Sequence, residues 1–402
     1  MGHFGDFQFD LYLAGIGGQV PPFPMTTDGV EAAARDVLSP EAFSYVAGSA
    51  GLEFTARANR RAFERWQILP RVLQQVVTRD LSTEVCGTAL RAPVLLAPIG
   101  AIGIVHPEAE LAVARAAARV GLPMILSTVA STPMEDVAAA LAGVQPTAQA
   151  AAATPAAPAG TGWYQLYWPK DRDVAVSLVK RAERAGFKAV VVTLDTWALA
   201  WRPRDLAHGF LPFLRGAGIA NYLTDPAFRA GLTRPPEEDM NAAILHWSAM
   251  FGNPALTWAD IEWLRGQTNL PILVKGICHP DDGRAAVGAG VDGIVVSNHG
   301  GRQVDGAQPA LDCLAPVCAA VGDTPVLFDS GIRTGSDIIK AIALGARAVL
   351  VGRPYVYGLA IGGADGVAHV LRCLLADLDL TMALSGHASL KSLDRDVLIP
   401  TP

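Results

Sequence analysis

One alternation of polar and apolar positions returns along the chain. An Ala-rich stretch with helical spacing ends at a glycine, and a short, unbroken apolar run begins soon after, around Gly121, Gly186, Gly290 and Gly345. Glycine just past a helix supplies the left-handed cap that turns the chain into its next element. The runs that follow are β-branched and apolar at successive positions, the pattern of parallel strands buried on both faces. Similar runs at 94–97, 163–166, 272–274 and 326–328 bring the expected strands to eight, beginning near residues 94, 124, 163, 189, 272, 293, 326 and 348. Helical patterns at 108–120, 173–185 and 336–344 lie between them. Eight βα units in series predict an α/β fold, a (β/α)8 TIM barrel. An open doubly wound sheet is the alternative, but no Gly-x-Gly-x-x-Gly follows the first strand.

Three stretches break the rhythm. Residues 1–90 are expected to form a helical extension covering one end of the barrel, within the same domain as the barrel at 91–402. Residues 142–161 are rich in Ala, Pro and Thr and predict a flexible insert without catalytic chemistry. Residues 203–258 form a long connection after the fourth strand, holding Trp247, Trp258, Glu237 and Glu238. Such an excursion predicts a lid or a partner surface.

Composition narrows the class. Half the residues are hydrophobic (51%) and only 17% charged, enough apolar material for one large core. The net charge of -6 offers no basic stripe for nucleic acid. No apolar run approaches the length of a membrane span, and the first residues lack the basic and apolar regions of a secretory signal. The five cysteines are odd in number, without Cys-x-x-Cys spacing, and read as buried thiols in a reducing compartment. A cytoplasmic protein is the expectation. No His, Cys or Asp cluster has metal-ligand spacing, so no metal is expected.

In barrels of this kind the chemistry sits at the C-terminal strand ends. Read in order, those ends are Ala97-Pro98-Ile99-Gly100, Ser127-Thr128, Gln165-Leu166-Tyr167, Thr193-Leu194-Asp195, Lys275-Gly276, Ser297 to Arg302, Asp329 to Arg333, and Gly352-Arg353. Polar and ionisable groups from separate segments thus converge on one rim. His299 is the candidate base: it follows a strand directly, and Gly300 and Gly301 after it permit close approach by a ligand. A structural histidine bonding a loop carbonyl is the bland alternative. Asp195 could balance its imidazolium. Arg202 and Arg302 are candidate carboxylate clamps, with a surface salt bridge the competing reading, more so for Arg202. Gly331, Arg333, Gly352 and Arg353 at the last two strand ends fit a phosphate site. Lys275 could set a positive charge beside a cofactor ring that becomes anionic on reduction.

The run Ser297-Asn298-His299-Gly300-Gly301-Arg302-Gln303 resembles the active-site signature of the FMN-dependent enzymes that oxidise 2-hydroxy acids, and the resemblance extends from Ser44 to Ala383. It implies FMN as cofactor and a small L-2-hydroxy acid and molecular oxygen as partners, with neither nucleic acid nor membrane, and a homo-oligomeric assembly. By the same resemblance Tyr45, Tyr167, Arg202 and Arg302 bind substrate, and His299 with Asp195 form the base pair. Pro98, Ile99, Gly100, Ser127, Gln165, Thr193, Lys275, Ser297, Asp329, Gly331, Arg333, Gly352 and Arg353 surround the cofactor. Within the family the sequence is most similar to lactate 2-monooxygenase, through Pro98-Ile99-Gly100, the stretch from Asp195 to Leu206, Lys275 to Asp282, and Arg234 to Asp239. The implied reaction turns lactate and oxygen into acetate, carbon dioxide and water. An oxidase or dehydrogenase that releases the 2-keto acid is the alternative. Val129 and Leu199 occupy positions near the substrate in the family, where side-chain size affects which acid is taken.

Overall fold

The apolar runs fold as strands because each has two faces to bury. The structure, a computed structural model, describes residues 3–143 and 160–401. Its central strands are β1 (Val94–Leu96), β2 (Met124–Ser127), β3 (Gly162–Leu166), β4 (Val190–Thr193), β5 (Ile272–Ile277), β6 (Gly293–Val296), β7 (Val326–Phe328) and β8 (Ala348–Val351). All pair in parallel, each with its sequence neighbour, and β8 pairs with β1 to close the barrel. Each begins within one residue of the position the hydrophobic pattern predicts.

Alternation along the strands splits the core in two. Leu95, Ile125, Trp163, Val191, Leu273, Val295, Leu327 and Leu350 point inward and form one buried cluster. Leu96, Leu126, Val192, Val274, Val296 and Phe328 point outward into a second, larger one with the surrounding helices. The inner cluster also takes Val85 and Leu90 from an antiparallel pair, Thr83–Val85 with Thr88–Leu90. Trp163 Nε1 donates to Thr88 Oγ1 at 3.1 Å, so this hairpin plugs the N-terminal end of the barrel. The sequence reading did not anticipate it. The opposite end, where the strands finish, is left for the site.

Helices Asp6–Ile16, Thr27–Val37, Pro40–Ala47 and Phe54–Glu64 precede the hairpin. Pro40 opens the third of these and Ser39 caps it, accepting from the Ala42 amide, as helix starts require. Gly121 and Gly186 end their helices in the left-handed region, at φ +75° and +92°. The long connection after β4 is organised into short helices, Pro203–Ala207, Ala220–Leu223, Pro226–Ala230 and Met240–Met250. Of the expected insert at 142–161, residues 144–159 lie outside the described residues. Among the described residues no helix is long and apolar enough to cross a membrane.

Candidate active site at the C-terminal strand ends

The chain leaves β6 through a tight turn. Ser297 and Ser330 hydroxyls hold it from beneath: Ser297 Oγ accepts the His299 amide at 3.0 Å, and Ser330 Oγ accepts the Asn298 and Gly300 amides at 3.2 and 3.0 Å. His299 itself is left-handed, at φ +57°, a strained backbone for a residue with a Cβ and one that concentrates at functional sites. The two glycines after it also serve packing, beyond the ligand approach expected from sequence. A Cβ on Gly301 would lie 2.5 Å from the Ala56 amide nitrogen, and one on Gly300 would lie 3.0 Å from Arg353 Nη1. They let the turn pack on helix Phe54–Glu64 and on Arg353, although Gly300 also lines the cleft.

The turn puts His299 against Asp195, which ends β4. His299 Nδ1 and Asp195 Oδ1 are 2.7 Å apart. The Thr196 hydroxyl donates to the same Asp195 oxygen at 2.9 Å. With Nδ1 engaged by a carboxylate, the proton sits there and the lone pair at Nε2 is turned to the cleft. The Tyr167 hydroxyl is 3.4 Å from that nitrogen. Burial pushes the His299 imidazole below its ordinary range, with Lys275 and Arg202 adding to the shift against Asp195. Burial alone would raise Asp195, but the neighbouring His299 and Lys275 charges hold it down at about 2. The resting pair is therefore a carboxylate and a neutral imidazole, a base able to accept a proton.

Cationic side chains surround the rest of the cleft. Arg202 Nε donates to the Arg302 carbonyl at 3.0 Å and its Nη2 to Gln303 Oε1 at 2.7 Å. Withdrawal from water, with Arg302 beside it, lowers Arg202 to about 10. Arg302 Nη1 donates to the Tyr45 and Gly48 carbonyls at 2.8 and 2.5 Å, and the guanidinium lies 5.3 Å from the Tyr45 ring centre. Arg353 donates to the Val46, Gly48 and Gly300 carbonyls and to Ser49 Oγ. Burial, with Arg302 and Arg333 nearby, brings Arg353 down to about 10 as well. None of these four arginines forms a carboxylate ion pair among the described residues. Such charges withdrawn from water call for an anion. Arg353 also opens the long helix Arg353–Leu384 just after Gly352, where free amides favour negative charge.

The structure brings Tyr45, Pro98, Ile99, Gly100, Tyr167, Arg202, Lys275, His299, Arg302, Asp329, Gly331, Arg333, Gly352 and Arg353 into the lining of one cleft. Ser127, Gln165, Thr193 and Ser297 lie just beneath it rather than in its lining. Gln165 Nε2 and Thr193 Oγ1 are nonetheless buried without a partner, and unpaired buried polar atoms ask for a ligand. Lys275 Nζ, 4% exposed, donates to Ser297 Oγ at 3.0 Å and lies 3.5 Å from Asp329 Oδ2. Burial would lower it, but Asp329 and Asp195 raise it above its usual range, so it is fully charged. Polar atoms at the barrel axis, a fixed cation and a guanidinium-rich end at β7 and β8 fit a flavin ring with a phosphate tail. Thr196, Ser330 and Gln303 were not singled out from sequence. Thr196 Oγ1 meets His299 Nδ1 at 3.1 Å, Ser330 accepts the Gly300 amide and Gln303 Nε2 donates to the Asp195 carbonyl, partners 103, 30 and 108 positions away, a separation that no local pattern reveals.

Comparisons with known proteins agree with this geometry. A family model described as FMN-dependent dehydrogenase matches residues 34–400. The chain is 42% identical over 401 residues to an FMN-dependent alpha-hydroxy acid dehydrogenase of Penicillium citrinum, covering 98% of this chain and 96% of that protein. It is 41% identical over 391 residues to an L-lactate oxidase of Lysinibacillus sphaericus, covering 97% and 96%. A crystal structure of mandelate oxidase with (S)-4-hydroxymandelic acid superposes with a TM-score of 0.80 at 39% identity, covering 94% of this chain and 99% of that one. With a barrel whose strand ends hold a neutral histidine, a buried lysine and unpaired arginines, this chain belongs to the FMN-dependent dehydrogenase family and is an FMN-dependent oxidoreductase.

Proposed function

We propose that the enzyme oxidises a small L-2-hydroxy acid, lactate foremost, and carries the product on to acetate, carbon dioxide and water. The observation that carries the first part is the His299 Nε2 lone pair facing the same cleft as Arg202, Arg302, Tyr45 and Tyr167. The two guanidiniums hold the substrate carboxylate, and the tyrosine hydroxyls orient the groups at C2. FMN, when bound, accepts the two electrons. His299 takes the proton at Nε2, and the Asp195 carboxylate stabilises the imidazolium that results. The enzymes named above as acting on 2-hydroxy acids or lactate support the substrate class.

The second part draws on the roof of the cleft. Phe213, from the connection after β4, is 5% exposed and lines the cleft with Phe251. Its ring packs edge-on against Tyr45 at 6.4 Å. A roof of this kind excludes water and slows escape. Molecular oxygen, taking on the two electrons and two protons from the substrate, yields hydrogen peroxide beside the held 2-keto acid; the peroxide attacks the carbonyl carbon, and the carbon–carbon bond to the carboxylate and the O–O bond break, giving the shorter acid, carbon dioxide and water. The likeness to lactate 2-monooxygenase around Gly100 and Arg202 favours this outcome.

A simpler reading, an oxidase releasing pyruvate and peroxide, is favoured by the 41% identity to an L-lactate oxidase. Products of aerobic L-lactate turnover decide between them. Acetate with little free peroxide supports decarboxylation in the cleft, whereas pyruvate and peroxide in equal amounts would establish the oxidase. Failure of any 2-hydroxy acid to reduce the bound flavin would refute both.

A further inference from the structure

A second cavity adjoins the cleft. It lies against the ends of β4 and β5 and is lined by Trp168, Trp197, Leu256, Trp258 and Ile261, among others. Its volume is about 480 Å³. Tyr167, Thr196 and Phe251 line both spaces and so form the partition between them. Two of these are tied to the base: Tyr167 approaches His299 Nε2, and Thr196 donates to Asp195. The Phe251 ring makes no bond to the base pair: it lies edge-on to Tyr167 at 5.8 Å, tilted against Trp247 at 5.0 Å and stacked on Phe213 at 6.4 Å, while the Phe251 amide donates to the Trp247 carbonyl at 2.9 Å. It follows the end of helix Met240–Met250 and precedes Gly252, whose φ is +79°.

From this partition we infer that Phe251 sets the upper size of the substituent at C2 of the hydroxy acid, and that the chamber behind it is a latent subsite for a long aliphatic or aromatic substituent. The inference rests on the 2-hydroxy-acid reading above and deepens it. The proposed occupant follows from continuity and chemistry. Tyr167 and Thr196 in the shared wall are bonded to the base pair, so Phe251 is the partition residue whose removal would join the chamber to the cleft while leaving those bonds in place. Indole and branched aliphatic walls favour apolar carbon, and Asp282 in the lining disfavours a second carboxylate.

The test compares kcat/KM for L-2-hydroxyoctanoate with that for L-lactate within each variant of the holoenzyme, read as flavin reduction. An apolar pocket distinguishes one methylene by roughly 10- to 200-fold. Phe251→Ala should therefore raise the ratio of long to short acid by about tenfold or more. Adding Leu256→Trp to that variant refills the chamber and should bring the ratio back down. If Phe251→Ala does not retain FMN, Phe251→Leu serves instead, with a smaller rise expected in the same direction. An unmoved ratio, or a rise that Leu256→Trp fails to reverse, overturns the inference while leaving the functional reading intact. Absence of flavin reduction by either acid in the wild type overturns both.

Discussion

Replacing Asp195 by asparagine keeps the size and one acceptor of the side chain but removes its charge. The carboxylate sits 2.7 Å from His299 Nδ1, with side chains 13% and 16% exposed, so solvent screens the pair little. A hydrogen bond with a charged partner contributes roughly 1.5–3 kcal/mol. If that contribution is felt only when the imidazolium forms, the rate of substrate oxidation falls by roughly 10- to 150-fold, at 1.36 kcal/mol per factor of ten. The assay is anaerobic stopped-flow bleaching of the flavin by L-lactate as a function of pH. Its sign is informative. A protonated His299 cannot accept a proton, so kcat/KM is lost as pH falls through the imidazole's pKa, which burial holds below the ordinary 6.5. Asp195 is the neighbour that raises that pKa, against Lys275 and Arg202. Removing its charge moves the acidic limb to still lower pH even as the plateau drops. A substitution that merely loosened the turn would admit water to His299 and move the limb upward. An unchanged plateau, or a limb shifted upward, would refute the proposed pairing.

Other expectations follow from the same geometry. Arg353→Met removes a guanidinium that lacks a carboxylate partner and should weaken FMN binding by roughly 10- to 150-fold, measured by titrating apoprotein with FMN; unchanged affinity would place the phosphate elsewhere. Lys275→Met leaves the Asp329 carboxylate without its cation at a buried site and should cost about 3–5 kcal/mol of stability in urea unfolding, with a more negative flavin potential because a reduced anionic ring loses its neighbouring charge. Gly301→Ala sets a Cβ against the Ala56 backbone at a residue with φ +78°; a loss of about 2 kcal/mol or more is expected, read from thermal unfolding of holoprotein, and a neutral result would mean the turn can shift freely.

The barrel was legible because its strands are buried on both faces. Continuous apolar runs such as 189–192 and 294–296 have few other homes, and polar residues right after them mark the open end. What escaped the sequence were contacts made at a distance. Nothing in the pattern around Val85 or Leu90 marks them as the floor of the barrel, since two three-residue strands carry too little periodicity. Gly301 was read as room for a ligand, whereas its neighbour is the helix that starts at Phe54. Ser330 carried no role of its own within the run Asp329 to Arg333, yet its hydroxyl fixes two amides of the histidine turn. Arg302 was expected to face substrate. It does line the cleft, but it is also braced by the carbonyls at the end of the Tyr45 helix, so that helix end and the clamp form one unit.

The helical stretch Arg353–Leu384, broken at Gly362–Gly363, leads from the cofactor end of the cleft to the amino-terminal segments. Its first residue lies at the anion-seeking end of the cleft, and near its far end Asp379 accepts the Gly5 amide and two bonds from Arg79. A ligand bound only by the folded chain, at free concentration c, stabilises every element that unfolds together with its site, by RT ln(1 + c/Kd). Protease sensitivity around residues 3–20 and 69–79 should therefore fall as FMN is added to apoprotein, though no residue there touches the cleft. Flavin loading would then act as a quality mark on the whole polypeptide, with cofactor-poor molecules losing their amino-terminal wrapping first.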